Sequence, residues 1–136
     1  MLDSHFNTTL QLMISLAYKK DEEQSSETLA RDMNTNPAFV RKIMAKLSKA
    51  GLIETRRGKS GGVSLAKDPK QISLKEIYLA VNDKTAIHNM KKGGTDCAVT
   101  CSMQTILLKL STQLERTQLL ILGRIKLSHL TKEIKA

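Results

Sequence analysis

The sequence predicts a mainly α-helical fold with a small β-hairpin wing, that is, a winged helix-turn-helix followed by a long C-terminal helix. Three observations predict this fold class. Two amphipathic helical segments flank a short break at residues 34–37, and two short strand-like runs then flank a glycine-rich turn at residues 58–62. A heptad-like series of apolar residues follows between residues 103 and 121.

Helical spacing of apolar residues predicts the first two helices. Residues 8–20 carry leucine, methionine, isoleucine and alanine at intervals of three and four, which indicates a first helix. Residues 21–25 are polar and are expected to form a loop. Ser26 is expected to be the N-cap of a short second helix, with Glu27 in the first turn, where an acidic side chain suits the helix dipole.

The break after the second helix predicts where the third begins. Asn34 tolerates the left-handed conformation that such a turn needs. Asn36 is expected to cap the third helix, with Pro37 at its first position. This helix carries four apolar residues on one face and is expected to end at Gly51.

A hairpin and a fourth helix complete the first part of the chain. Residues 52–57 and 63–66 have short strand patterns around the turn Gly58–Gly62, which predicts an antiparallel hairpin. Ser73 is expected to cap a fourth helix over residues 74–81. Residues 82–101 show no periodicity and are interpreted as an irregular loop, and the long helix is expected to begin at Ser102.

Side-chain spacing over the second and third helices agrees with the helix-turn-helix motif. With Ser26 as the first position, Ala30 is the fifth, where two crossing helices need a small residue. Asn34 is then the ninth, in the turn that needs a positive φ. Val40 and Ile43 occupy the fifteenth and eighteenth positions, which must be apolar. Several independent positions therefore indicate the same motif.

The charge distribution suggests nucleic acid as the partner. The chain of 136 residues has a net charge of +9 and a pI near 9.7. Net +7 of this charge lies between residues 41 and 67, on the third helix and the hairpin. Lysine and arginine on such a surface neutralise phosphates and release counterions. The basic residues of this segment are Arg41, Lys42, Lys46, Lys49, Arg56, Arg57, Lys59 and Lys67.

The expected contacts to duplex DNA follow from the motif. The N-terminal residues of the third helix, the recognition helix, reach base edges in the major groove, where Arg41 is able to bond a guanine bidentately. Lys59 and Ser60, at the hairpin tip, are expected at the minor groove or its phosphates. The expected DNA-binding residues are Ser26, Asn36, Pro37, Ala38, Arg41, Lys42, Arg56, Arg57, Lys59, Ser60 and Gly61. The alternative, a merely solvated lysine face, explains a single lysine better than this cluster.

Two segments resemble the Rrf2 family of bacterial winged-helix regulators: residues 46–53 (KLSKAGLI) and residues 57–66, with the wing pattern R-G-x-x-G-G. The resemblance implies a homodimer on a partly palindromic operator, usually as a repressor, with the long helices crossing. The heptad-like residues expected at this interface are Met103, Ile106, Leu110, Leu114, Thr117 and Ile121. One departure is Arg41, where many members have a glutamate, so the base that is read should differ.

The resemblance also bears on Cys97 and Cys101, since members with an iron–sulfur cluster carry three cysteines in the loop before the dimer helix. With two cysteines, a cluster would need His88, Asp96 or another subunit to complete four ligands. We therefore expect no cofactor and no metal. Two interpretations remain open for the thiols: a redox sensor, favoured by the nearby basic residues and helix start, or inert small side chains.

Other function classes fit less well. A thiol oxidoreductase would need C-x-x-C on a helix after a strand, and the spacing here is one residue too long, so an enzyme is not expected. An RNA-binding protein is disfavoured by the few aromatic residues. A regulator that responds to a small molecule, bound between the DNA-binding body and the long helix, remains the main alternative.

These interpretations divide the chain into three parts. They are a DNA-binding winged helix-turn-helix over residues 1–82, a sensor-type loop over residues 83–101, and a dimerisation helix with a C-terminal segment over residues 102–136. No export signal or apolar stretch of about 18 residues is visible, so the cytoplasm is the expected compartment and no membrane partner is expected.

Overall fold

A computed structural model describes residues 3–22, 24–58, 61–82 and 97–135 of the chain. It confirms the predicted fold class, with helices around a small antiparallel hairpin. In chain order the elements are α1 (Ser4–Tyr18), α2 (Ser26–Asp32), α3 (Pro37–Lys49), β1 (Ile53–Arg56), β2 (Gly62–Leu65), a 3-10 turn (Pro69–Gln71), α4 (Leu74–Val81), α5 (Ala98–Arg124) and α6 (Leu127–Thr131).

The core lies where α1, α3, α4 and α6 meet, and it is largely aliphatic. Leu12, Leu47, Ile77 and Leu127 are all fully buried. The one aromatic pair in this core, among the described residues, is Phe6 with Tyr78, whose rings meet edge to face at 5.7 Å. Burial of these side chains fixes α3 against α1 and α4, so the opposite face of α3 is presented to solvent.

The turn between α2 and α3 has the conformation that the motif requires. Asn34 has a φ of 51°, and its N–H donates to Arg31 O at 3.1 Å. The next N–H, of Thr35, reaches back to Ala30 O at 2.9 Å, which completes a Schellman motif. The Asn36 side chain then accepts from the Ala38 N–H at 2.7 Å. The predicted roles of Asn34, Asn36 and Pro37 are confirmed.

A second Schellman motif ends α3 and directs the chain into the hairpin. Gly51 has a φ of 75°, and its N–H donates to Ser48 O at 3.0 Å. The Leu52 N–H donates to Leu47 O at 3.0 Å. Because a left-handed φ suits glycine, the predicted role of Gly51 as the residue that ends α3 is confirmed.

The hairpin is joined by a third segment of chain. β1 and β2 pair antiparallel, with Ile53 opposite Leu65 and Arg56 opposite Gly62. On the other side of β2, the Val63 N–H donates to Gln24 O at 2.8 Å. A Cβ on Gly62 would lie only 2.9 Å from Gln24 O, so the close approach requires glycine. The wing is thereby tied to the segment that leads into α2.

Backbone hydrogen bonds also tie the end of α5 to the start of α4. The Leu74 N–H donates to Ile125 O at 3.0 Å, and the Leu127 N–H donates to Ile72 O at 2.8 Å. α6 then packs on α1, as predicted for a C-terminal segment folded back on the body. α5 itself packs mainly on α4, and along its 27 residues Leu122 is the buried one.

Three predicted helix starts were wrong. α1 begins at Ser4, capped by the Asp3 carboxylate, rather than at Thr8. The N-cap of α2 is Ser25, whose hydroxyl accepts from the Thr28 N–H at 3.1 Å, and Ser26 is the first helical residue. α5 begins at Ala98 rather than Ser102, so Cys101 belongs to the helix and not to the preceding loop.

Candidate nucleic-acid interface

α3 separates an apolar face from a polar, basic face. Val40, Ile43, Met44 and Leu47 are buried against the body. On the outer side lie exposed residues that the sequence predicted as DNA contacts: Asn36, Pro37, Ala38, Arg41 and Lys42. The Asn36 cap and the proline at the first position fix the helix start, so these five residues share one solvent-facing edge. Two of the five, Arg41 and Lys42, are basic, so this edge carries positive charge.

The start of α2 lies close to this edge. Arg41 Nη1 is 3.9 Å from Glu27 Oε1, and both side chains are more than half exposed. The Ser26 hydroxyl donates to the other carboxylate oxygen, Glu27 Oε2, at 3.2 Å. The pKa of Glu27 is lowered, first by the backbone N–H at the start of α2, then by the Ser26 hydroxyl, with Arg41 adding to the effect. Glu27 is therefore an anion beside the predicted base-reading arginine.

The hairpin and the start of α2 form a groove. Its lining includes Ser26, Glu27, Arg56 and Gly61, so three predicted contact residues, Ser26, Arg56 and Gly61, share one site with the acidic residue. Gly61 is constrained here, because its N–H donates to Gly58 O at 2.9 Å and an added Cβ would overlap Arg56 O. Arg57 is exposed on the same hairpin. Lys59 and Ser60 lie outside the described residues.

Sequence reasoning missed the acidic member of this surface. Glu27 was interpreted only as a residue that suits the helix dipole, and its contact with Arg41 joins two different helices. The one local signal was the helix-turn-helix spacing itself, which brings the start of α2 beside the start of α3.

The two cysteines lie at the start of α5. Cys97 occupies the N-cap position and the Cys101 N–H donates to Cys97 O at 3.0 Å, so the residues are one helical turn apart. Both side chains are exposed. The pKa of Cys97 is lowered, chiefly by the backbone N–H of Thr100, then by the Thr100 hydroxyl and the Val99 N–H. These donors stabilise a thiolate at Cys97.

The described residues do not supply a complete ligand set for an iron–sulfur cluster. In the part of the chain that the structure describes, no group of three or more histidine, cysteine or acidic side chains is placed to hold a metal ion. Such clusters are generally held by four ligands. His88 and Asp96, the residues predicted as possible additional ligands, lie outside the described residues.

One face of α5 is apolar and exposed to solvent in the single chain. Its six predicted interface residues are all exposed, from Met103 at 36% to Leu114 at 66%. Large exposed apolar patches occur at contacts with other proteins, with membranes or with ligands. The residues are Met103, Ile106, Leu110, Leu114, Thr117 and Ile121.

The structure shows an apolar groove elsewhere. It lies between α1 and Ile134, which is near the C-terminus, with Leu10, Ile14 and Tyr18 in its walls. No residue of α5 lines it, so it differs from the predicted ligand position between the body and the long helix. Within the described ranges, no helix combines the length and apolarity needed to cross a bilayer.

Comparisons with known proteins agree on one family. The sequence pattern described as "Rrf2: Iron-dependent Transcriptional regulator" matches residues 2–133. YwnA of Bacillus subtilis, named as a helix-turn-helix-type transcriptional regulator, is 40% identical over 81 residues, which are 60% of this chain and 59% of YwnA. NsrR of Halalkalibacterium halodurans, also named as such a regulator, is 34% identical over 83 residues, covering 60% of this chain and 57% of that protein. The matched segments thus span less than two thirds of these relatives.

A solved structure extends the likeness over nearly the whole chain. IscR of T. potens superposes with a TM-score of 0.72 at 21% identity and covers 99% of this chain and 88% of that one. This likeness shows a shared fold. The family and the named relatives are transcriptional regulators rather than enzymes.

Proposed function

Because the chain belongs to the Rrf2 family of transcriptional regulators, we propose that it is a sequence-specific DNA-binding regulator that acts as a homodimeric repressor on a partly palindromic operator. The observation that carries this proposal is the division of α3 into a buried apolar face and an exposed basic edge beside the hairpin. Its partner is duplex DNA, and its site of action is expected in the cytoplasm.

The residues divide into two expected roles. Arg41 and Lys42, at the start of α3, are expected at base edges, where they determine which sequence is bound. Arg56, Arg57 and the hairpin tip are expected at phosphates, where they add affinity without sequence preference. Ser26, Asn36, Pro37, Ala38 and Gly61 are expected to bring the backbone close to the duplex.

The exposed face of α5 supports the dimer. Six residues at heptad-like spacing face solvent in the single chain, and burial against a second α5 would remove them from water. A symmetric dimer would then present two recognition helices to a DNA site with matching twofold symmetry.

The experiment is selection of bound sequences from random duplex DNA by the purified full chain. A recurrent, partly palindromic sequence supports the proposal, and recovery of unrelated sequences at equal affinity contradicts it.

Lys59→Ala is expected to weaken binding to all sequences alike and to reduce the salt dependence, because its role is at phosphates. Lys132→Ala, at the end of α6, is the matched control and should leave binding unchanged.

A response to oxidants through Cys97 is the second proposed property. It is favoured by the exposure of Cys97 and by the donors that lower its pKa. Hydrogen peroxide converts a cysteine thiolate to sulfenic acid with release of hydroxide. A thiol condenses with sulfenic acid to a disulfide with release of water, but Cys97 and Cys101 are one helical turn apart, so a disulfide between them requires the first turn of α5 to unwind. Oxidation at the start of α5 would alter the helix that joins the two protomers.

The test measures operator affinity before and after dilute hydrogen peroxide. Wild type is expected to change and Cys97→Ser to be insensitive, while Cys101→Ser separates sulfenic acid formation from disulfide formation. Equal responses of wild type and Cys97→Ser would exclude this sensor and favour a small-molecule effector with inert cysteines.

A further inference from the structure

We infer that Glu27 is a positioning residue that sets the DNA specificity of the adjacent Arg41, by holding its guanidinium at the start of α2 and neutralising its attraction to phosphates. The inference rests on the proposed function, because it concerns the same DNA-binding surface. It assigns a role to an acidic side chain on a surface that is otherwise basic.

Glu27 and Arg41 form an ion pair without a hydrogen bond. Arg41 Nη1 and Glu27 Oε1 are 3.9 Å apart, which is too far for a hydrogen bond but close enough for charge attraction. The N–H donors of Arg41 are therefore not used by the carboxylate. They are able to turn to a guanine edge while the ion pair persists, which is how a carboxylate orients an arginine without blocking it.

Contacts at the start of α2 hold Glu27 in place. Its other carboxylate oxygen, Oε2, accepts from the Ser26 hydroxyl at 3.2 Å. Ser26 and Glu27 are the first two residues of α2, whose start is fixed by the Ser25 cap. Along the other side, the Gln24–Val63 backbone hydrogen bond of 2.8 Å ties this segment to the hairpin. The carboxylate is thus attached to a fixed helix start rather than to a loop.

The carboxylate of Glu27 also affects how strongly this surface attracts DNA phosphates. Glu27 lines the groove between α2 and the hairpin, together with Ser26, Arg56 and Gly61. A carboxylate there repels the DNA backbone, while an arginine without a partner would bind any phosphate in reach. The Glu27–Arg41 pair lowers this general attraction. A base that accepts two hydrogen bonds from Arg41 compensates for this loss of phosphate attraction, and other bases do not. The Glu27–Arg41 pair therefore increases the difference in affinity between sequences.

The experiment compares Glu27→Gln, Arg41→Ala and the double variant on the selected operator and on a random duplex, over a range of salt concentrations. Glu27→Gln should tighten binding to the random duplex more than binding to the operator, by a factor of about two to five. This factor corresponds to the loss of one exposed ion pair. In the Arg41→Ala background this difference should disappear, because the effect acts through Arg41. Glu133→Gln, the same charge change near the C-terminus, should have no such effect.

The outcomes separate this inference from the proposed function. If wild type binds the operator selectively but Glu27→Gln tightens both duplexes equally, with or without Arg41, Glu27 is only a repulsive charge and the inference is overturned. If wild type itself shows no preference among sequences, the proposed function fails first.

Discussion

α3 and α5 are both amphipathic helices, but they use their apolar faces differently. α3 buries four side chains within 13 residues, all against its own chain. α5 has 27 residues and buries Leu122 alone. The apolar spacing of each helix identifies a face that is expected to be buried. It does not indicate whether the residues that bury this face belong to the same chain or to a partner. The apolar face of α3 stabilises the monomer fold, whereas the exposed apolar face of α5 is the one that we propose a partner covers.

Truncation of the covered face should have the largest effect. Leu47 on α3 is fully buried, so Leu47→Ala should lower the free energy of unfolding by about 2–5 kcal/mol, through lost burial and the cavity left behind. Urea denaturation followed by circular dichroism measures this change. Leu79→Ala, on the exposed side of α4, is the control and should lower stability far less. Equal losses would mean that the assigned core is wrong.

Truncation of the exposed face should act on association instead. Leu114 is 66% exposed in the single chain, and a Leu114→Ala variant should weaken the dimer about ten- to a hundredfold, the effect of about 1.5–3 kcal/mol of lost burial. Sedimentation velocity over a concentration series measures the dissociation constant. Arg116→Ala, two residues along α5 and outside the heptad-like series, should leave it unchanged. An unaltered constant in Leu114→Ala would contradict the assigned interface.

The polar side of α3 gives a third test. Arg41→Ala should weaken the free energy of operator binding by about 1–3 kcal/mol and should relax selection at one base position in each arm of the operator. Quantitative binding to single-base operator variants measures this effect. Lys49→Ala, in the last turn of α3, should leave the base preference unchanged. A uniform loss for Arg41→Ala across all variants would move Arg41 to the phosphate contacts.

The turn before α3 should show the smallest effect. Asn34 has a φ of 51°, so Asn34→Ala should lower the free energy of unfolding by about 1 kcal/mol, because alanine tolerates this conformation less well. Asn34→Gly should keep or slightly raise stability. Asn82→Ala, at a position with a φ of −71°, controls for loss of an asparagine side chain. The measurement is again urea denaturation. A lower free energy of unfolding in Asn34→Gly would show that the asparagine side chain, rather than the positive φ, determines the effect.

Local signals were sufficient for much of the fold. Ser73 caps α4 through its hydroxyl, which accepts from the Glu76 N–H at 3.2 Å, and the helix bounds of 74–81 agree with the prediction. Asn34, Asn36 and Gly51 likewise act through bonds to residues close in sequence. Such features are predictable because the side chain or φ that determines them is encoded at the position itself.

Features that depend on distant contacts were not predictable. Ser25 and Ser26 are equivalent as capping residues in the sequence. The pairing of Gln24 with Val63 ends just before Ser25, which becomes the N-cap, so α2 starts one residue earlier than predicted. The first turn of α5 contains the β-branched residues Val99 and Thr100, and cysteine is not among the residues preferred at the N-cap, so no local signal marks its start. The Glu27–Arg41 contact joins two helices and required the folded structure.

The paired hydrogen bonds between residues 72–74 and 125–127 have a geometric consequence for DNA recognition. They fix the direction of α5 relative to the body that carries α3. In a twofold dimer, the distance between the two copies of α3 then depends on where along α5 the helices cross. A shift of that crossing by one helical turn moves each body by about 5.4 Å, against a duplex repeat of about 34 Å. In the proposed dimer, the register of the α5 pair would therefore set the spacing of the two DNA half-sites.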